Sequence, residues 1–245
     1  MLYLDNWQLK FLFLNYLRSK KGCMIKLTPK ELLTLHMDCM FTYEKSRMVY
    51  VNEPWGCTTP APLLMLGHTV EDDILCRFGK YANASLIKKV ESLIYSGVRD
   101  ISIYQKKLGI QNSSQELCFY TKSIGVDCTN CRLLTGEDGK LLETTFKGYA
   151  EEISTAQPYV GYFCDGKIVS ICRSVRKEHG HEAGIETLPE YRRRGYAQAV
   201  LKYWTMAVLQ QGFIPLYSAD VANTASLQLA RKSQYILYAS AFMLK

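Results

Sequence analysis

The segment YVGYFC-DG-KIVSIC, residues 159–172, leaves the chain little choice of local structure. Two apolar runs flank Asp165-Gly166, and an Asp-Gly pair accepts the positive φ at both central positions that a two-residue hairpin requires. An antiparallel pair of strands is therefore fixed here, and the rest of the C-terminal half can be read outward from it. HEAGIETL, residues 181–188, is the next strand, and its glycine points to a bulge or a close backbone approach. A helix follows from Arg194 to Gln211, with Ala197, Val200, Leu201, Trp204 and Val208 on one face and Gly212 past its end. FIPLYS is a strand whose Pro215 must sit where a ladder bond is missing. Asn223 then caps a helix carrying Leu227, Leu229 and Ala230, and YILYASAFML closes the chain as a strand. Hairpin, strand, helix, strand, helix, strand is the order of an α/β (α+β) fold, a mixed and mainly antiparallel sheet flanked by helices.

The chain ahead of residue 111 reads as a mostly helical region. Thr28-Pro29-Lys30-Glu31 combines a cap, a proline suited to the first helical position and a glutamate able to complete a capping box, and Leu32, Leu33, Leu35, His36, Cys39 and Met40 follow. Val51 to Pro62 is a loop. A second helix is expected from Asn83 to Ser96, and a short third from Asp100 to the stop at Gly109. QNSSQE, residues 111–116, reads as a polar linker, so the expected division is 1–110 and 111–245. Met24 opens MIKLTPKELL, which makes residues 1–23 an expected upstream extension.

Thirty Lys and Arg against 23 Asp and Glu give a net charge of +7, which suits an anionic ligand. No apolar stretch reaches the roughly 18 residues of a membrane span. The segment WQLKFLFLNYLRSKKG lacks the charge order and cleavage site of an export signal, so a cytoplasmic protein with reduced thiols is expected from the nine cysteines. Cys128 and Cys131 form a lone C-x-x-C with no partner pair at metal-binding spacing, so no metal is expected.

The chemistry concentrates in PEYRRRGYA, residues 189–197. A strand that ends in a tight turn and opens a helix aims several unbonded N–H groups at one spot, and the helix dipole adds partial positive charge there. Gly195 would leave room for a pyrophosphate against the backbone, and small Ala197 lets the helix start approach it. No aromatic and basic platform or reading helix accompanies the arginines, so nucleic acid is not the expected partner.

Arg192-x-x-Gly195-x-Ala197 at a strand-to-helix turn resembles the Q/R-x-x-G-x-G/A signature of the GNAT superfamily of acyl-CoA-dependent N-acetyltransferases. GIETLPEYRRRGYAQAVL and PLYSADVANTASLQLARK resemble the family's strand, turn and helix and its next strand and Asn-capped helix, so the resemblance covers about residues 112 to 245. It implies acetyl-CoA as co-substrate, in a cleft between the strand ending near Leu188 and the strand Phe213 to Ser218. Main-chain groups near Thr187 and Leu188 would pair with the pantetheine arm. The turn of Arg192, Arg193, Arg194, Gly195, Tyr196 and Ala197 would hold the pyrophosphate, and Asn223 and Ser226 would contact the pantetheine.

Transfer of an acetyl group to an amine needs the amine deprotonated, and the resemblance makes Glu186 the first candidate for the base. Glu182, His179 and His181, in KEHGHE, read equally well as a solvated turn. The family's usual tyrosine, which protonates the leaving thiolate, is Ala230 here, with Tyr217, Tyr235 and Tyr238 as candidate substitutes. That departure leaves a rival reading, a CoA-binding module without turnover. The acceptor amine is not identified by any of these residues.

Overall fold

The computed structural model describes residues 27–109, 113–122 and 128–245. The extension expected at residues 1–23 lies outside them.

The hairpin forms as its turn chemistry demands. β7 (Tyr159–Cys164) and β8 (Lys167–Lys177) pair antiparallel around Asp165 at φ 49° and Gly166 at φ 74°. β9 (Gly180–Thr187), α5 (Tyr196–Gln210), β10 (Ile214–Asp220), α6 (Thr224–Lys232) and β11 (Ile236–Leu244) follow in the expected order. Pro215 precedes Leu216, the first residue of β10 paired to a neighbour on its far side, so the missing N–H interrupts no ladder there.

The N-terminal part departs from a mostly helical expectation. α1 (Pro29–Met40), α2 (Ala84–Tyr95) and α3 (Ile101–Leu108) are present, with Thr28 and Glu31 closing the capping box and Asn83 and Asp100 capping the other two. Between α1 and α2, however, run four strands: β1 (Phe41–Glu44), β2 (Arg47–Val51), β3 (Leu64–Thr69) and β4 (Ile74–Phe78). Their turns lack the glycine that makes a hairpin turn conspicuous. Lys45 (φ 46°) and Ser46 (φ 65°) turn β1 into β2, and Asp72 (φ 68°) turns β3 toward β4, in place of the Gly or Asn that marks such turns.

The polar stretch read as a linker is also a strand over its described part. β5 (Ser113–Tyr120) begins inside it, with Glu116 opposite Asp220 of β10 on one side and Ala241 of β11 on the other. With β6 (Cys131–Leu133), nine of the described strands form one sheet in the order β4-β3-β11-β5-β10-β9-β8-β7-β6, and β1 and β2 pair with each other in a separate two-stranded sheet. All neighbours are antiparallel except β9 and β10.

Helices cover both faces. On one lie α1, packed on Met65, Cys118, Leu216 and Ala241, and, toward β7 and β8, the turns around α4 (Gly139–Glu143), packed on Tyr159 and Ile171. On the other lie α5 and α6, with Trp204, Leu201 and Val208 against Cys172, Phe119 and Tyr217, and α2 and α3 against Leu66 and Phe242. Phe119 faces α5 while its neighbour Cys118 faces α1, so alternation assigns every β5 side chain to a layer.

Candidate active site

The arginine turn is shaped by two left-handed residues. After the 3-10 turn Pro189–Tyr191, Arg192 is extended, Arg193 takes φ 61°, and Gly195 takes φ 85° and ψ −3° as the cap of α5. Left-handed residues alternating with ordinary ones curl successive N–H groups into a concavity that suits an anion. Gly195 has no side chain to cap the helix, and among the described residues the N–H groups of Arg193 to Ala197 reach no backbone acceptor. Five amides at the positive end of a 15-residue helix are thus left for a ligand. A Cβ built on Gly195 meets nothing within 4 Å, so the space above it is open.

The arginine side chains are exposed and partly committed. Arg192 Nε donates to the carbonyl of Thr187 at 3.2 Å, and the Arg194 guanidinium lies 5.3 Å from the Tyr191 ring centre. Tyr196 stacks on Tyr162 with ring centres 4.2 Å apart, which ties the helix start to β7.

Beside this turn the sheet opens. β9 and β10 pair only through Ile214 with Gly180, Pro215 with His181 and Leu216 with Glu182. Beyond that fork β9 keeps β8 and β10 keeps β5, and a gap separates them. Leu188 donates its N–H to Val169 of β8 and accepts from Tyr191, so its main chain is spent. Ile185 and Thr187 are out of phase with Leu188 and turn their main-chain groups toward the gap instead.

On the far side of the gap, Asn223 accepts the Ser226 N–H at 3.1 Å, a complete helix cap, and Ser226 Oγ lies 2.6 Å from the buried Tyr217 hydroxyl. Burial pushes the Tyr217 hydroxyl up, which keeps its proton in place near neutral pH. The other tyrosines are engaged elsewhere: Tyr235 bonds Thr205 at 2.7 Å and Tyr238 bonds His36 at 2.5 Å, both in the interior. Ala230 is fully buried in the core beneath α6.

Glu186 is exposed and lies on the same face of β9 as Gly184 and Glu182. A bulge in β8 between Ser174 and Arg176 places Val175 over Gly184, where a built Cβ would lie 2.1 Å from its Cγ1. That is the close approach the glycine signalled.

At the fork itself sits a buried polar cluster that the sequence reading placed in a solvated turn. The turn ends at His179; His181 is 2% exposed and Glu182 3%. The Glu182 carboxylate takes Arg176 Nη1 at 2.6 Å, Ser218 Oγ at 2.5 Å and His36 Nε2 at 3.2 Å. Burial alone would raise its pKa, but the Arg176 guanidinium and the His36 imidazole outweigh it and hold the carboxyl well below the usual range. His36 is pushed up to about 10: burial opposes its charge, and the Cys118 sulfur and the Glu182 carboxylate oppose burial. Burial raises the Cys118 thiol in turn, with His36 opposing. His181 goes the other way, down to about 4, because burial and then Lys177 disfavour its charge; it stacks on Phe213 and bonds Ser174 Oγ at 3.0 Å.

His36 is the signal that could have found this cluster. A histidine among Leu32, Leu33, Leu35 and Cys39 on the buried face of α1 needs an internal partner. Among the described residues no group of three His, Cys, Asp or Glu side chains is arranged to hold a metal ion, and no helix is long and apolar enough to cross a membrane.

Residues 142–238 match the family model of the GNAT acetyltransferases. The match takes in the hairpin, the arginine turn and the Asn223 helix and leaves out β5. Among solved structures, the chain is similar to a functionally unknown conserved protein from Staphylococcus epidermidis ATCC 12228, at 14% identity over 90% of this chain and 98% of that one, with a TM-score of 0.50. An acetyltransferase from the GNAT family of Colwellia psychrerythraea is 12% identical over 100% and 98% of the two chains, with a TM-score of 0.47. A GCN5-related N-acetyltransferase-like protein from Streptococcus suis 89/1591 is 14% identical over 76% and 85%, with a TM-score of 0.45. At 14% identity the likeness to the Staphylococcus epidermidis protein is one of fold. No curated protein matches the chain.

Proposed function

With a GNAT acetyltransferase domain matched over residues 142–238 as the premise, we propose that the protein is an acetyl-CoA-dependent N-acetyltransferase that acts on an amine at the fork between β9 and β10. The observation that carries the reading is the set of unspent amides from Arg193 to Ala197 at the head of α5, beside a gap lined by unpaired main chain. The amides would take the pyrophosphate, with Arg192 and Arg193 at its rim. Ile185 and Thr187 would pair with the pantetheine arm as a missing strand, Arg192 releasing the Thr187 carbonyl it now holds. Asn223 and Ser226 stand across the gap, where Ser226 Oγ can turn from Tyr217 to the arm. Acetyl-CoA supplies an activated acetyl thioester; the chain supplies its alignment and the proton transfers.

The acyl end would lie away from the phosphate turn. From Thr187 back to Glu182 is five residues of strand, about 16 Å at roughly 3.3 Å each, the scale of an extended pantetheine arm. The thioester therefore falls near the fork, and Glu186 stands beside the arm instead of the acetyl group. Base catalysis passes to the carboxylates at the fork. Tyr217, with its hydroxyl held protonated on the α5 and α6 side of the sheet, would protonate the departing thiolate in the role Ala230 cannot fill.

The reading is tested by thermal unfolding with and without acetyl-CoA. At about 100 times the dissociation constant, ligand adds ~2.7 kcal/mol to the stability of the wild type. Gly195→Glu puts a carboxylate in the open concavity and should abolish the shift. Gly195→Asn, which tolerates a left-handed backbone, should keep part of it. No shift in the wild type overturns the reading.

A further inference from the structure

The sheet strand that the family match leaves out brings a second carboxylate to the fork. Glu116 of β5 shares the α1 face of the sheet with Ser218 of the neighbouring β10 and with Glu182 of β9 beyond it. Its Oε2 is closed to solvent and has no hydrogen-bond partner among the described residues. Arg176 Nε, in the same cluster, is likewise closed and unpartnered while the rest of that guanidinium holds Glu182. Buried polar atoms without partners are uncommon and mark a place completed by water or ligand. Here one orphan accepts and the other donates, which suits an acceptor molecule that carries an amine and a hydrogen-bonding oxygen.

The two carboxylates at the fork are not equivalent. Glu182 has three donors and is ionised too firmly to take a proton from anything. Around Glu116 the charged and titratable groups are Glu182 on β9, Arg176 on β8, His36 on α1, Cys118 on its own strand and Asp220 directly opposite on β10, whose Oδ1 is turned to the Ala222 N–H. Burial, and then the Glu182 charge, raise the Glu116 carboxyl above its ordinary range, with Ser218, His36 and Arg176 opposing. A carboxylate of that kind is the better proton acceptor.

Resting on the acetyltransferase reading above, we propose that Glu116 is the general base of the transfer, and that Glu182, fixed by Arg176, His36 and Ser218, is a positioning residue that keeps the fork open for the amine. Glu116 takes one proton from the acceptor ammonium, directly or through one water, and passes it to solvent. The freed nitrogen lone pair forms the C–N bond at the thioester carbonyl, the C–S bond breaks as the departing thiolate takes the Tyr217 proton, and the second proton leaving the nitrogen restores the Tyr217 hydroxyl. Base and acid then lie on opposite faces of the sheet, Glu116 under α1 and Tyr217 under α5 and α6.

The test compares wild type, Glu116→Gln and Glu116→Asp. Acetyl-CoA binding is read by thermal shift, transfer is read with spermidine, tyramine, ethanolamine and a lysine peptide as acceptors, and the carboxyl stretch of Glu116 is read in the wild-type minus Glu116→Gln infrared difference spectrum. Glu116→Gln should bind acetyl-CoA, lose ~100- to 10,000-fold in kcat and lose the acid limb of the pH profile of kcat/KM. Glu116→Asp should recover part of the rate and the limb, and the infrared band should titrate above the ordinary carboxylate range. An acid limb unchanged in Glu116→Gln overturns the base while leaving the acetyltransferase reading intact. A Glu116 band already ionised at the bottom of the ordinary range overturns it even if the variants fail to fold. Bound acetyl-CoA with no transfer to any of the amines in the wild type removes both.

Discussion

His36 on α1 and His181 on β9 are both buried, on opposite faces of the sheet, and they have opposite ionisation. His36 faces an ionised carboxylate, whereas His181 faces a ring and a hydroxyl. Their effects on stability therefore have opposite signs. A charge favoured by the fold stabilises fully below the unfolded value of about 6.5 and is lost as pH rises toward about 10, so His36 governs the alkaline side. A neutral form favoured by the fold stabilises fully above about 6.5 and is lost as pH falls toward about 4, so His181 governs the acid side. Urea midpoints should peak near pH 6.5. His36→Gln should flatten the fall between pH 6.5 and 9, and His181→Gln should flatten the fall below 6.5; a limb that survives its own substitution contradicts the assignment. Tyr217→Phe belongs to the same scale. It should leave acetyl-CoA binding near that of the wild type and lower kcat if the hydroxyl has the proposed role at the leaving group, and an unchanged kcat would remove that role.

Among elements, α1 matters because it carries His36 to the fork. Its start is held by a reciprocal pair, Glu31 N–H to Thr28 Oγ1 at 3.2 Å and Thr28 N–H to Glu31 Oε2 at 2.8 Å. Thr28→Ala should cost about 1 kcal/mol in unfolding free energy, and a change below ~0.3 kcal/mol would show that packing alone sets the helix start. This cap was legible in the sequence because capping is local chemistry, and so were the hairpin turn, the Asn223 cap and the helix starts at Asn83 and Asp100. The strands β1 to β4 were not. Lys45, Ser46 and Asp72 adopt left-handed turns that tertiary pairing imposes, and no local pattern announces them. The start of β5 was missed for a related reason: Ser113, Ser114, Gln115 and Glu116 are polar, and they form a strand only because β10 and β11 offer ladders on both sides. The shape of the arginine turn was readable from its glycine, whereas Glu116 and Glu182 come together from strands 66 residues apart and leave no local trace.

At the scale of the molecule, one sheet extends from β4 to β6, and β3, with β4 beside it, joins that sheet through β11. We propose that the expected units 1–110 and 111–245 are halves of one folding core. A chain beginning at residue 111 loses α1, β3 and β4, which exposes Met65's partners on β11 and removes His36 from Glu182. That fragment should show no cooperative unfolding transition and no acetyl-CoA shift, and a folded fragment that binds acetyl-CoA would make the C-terminal half a domain by itself.

The central claim is that the gap between β9 and β10 turns acetyl-CoA over instead of only holding it. The most direct measurement is the stoichiometry of transfer: the protein with acetyl-CoA and the amine panel, followed by mass spectrometry of the amines and quantification of free CoA. The account predicts one N-acetyl product formed for each CoA released, and no such product with Glu116→Gln on the same time scale. Acetyl-CoA that binds tightly and stays intact beside every amine would contradict it and leave a CoA-binding module in its place.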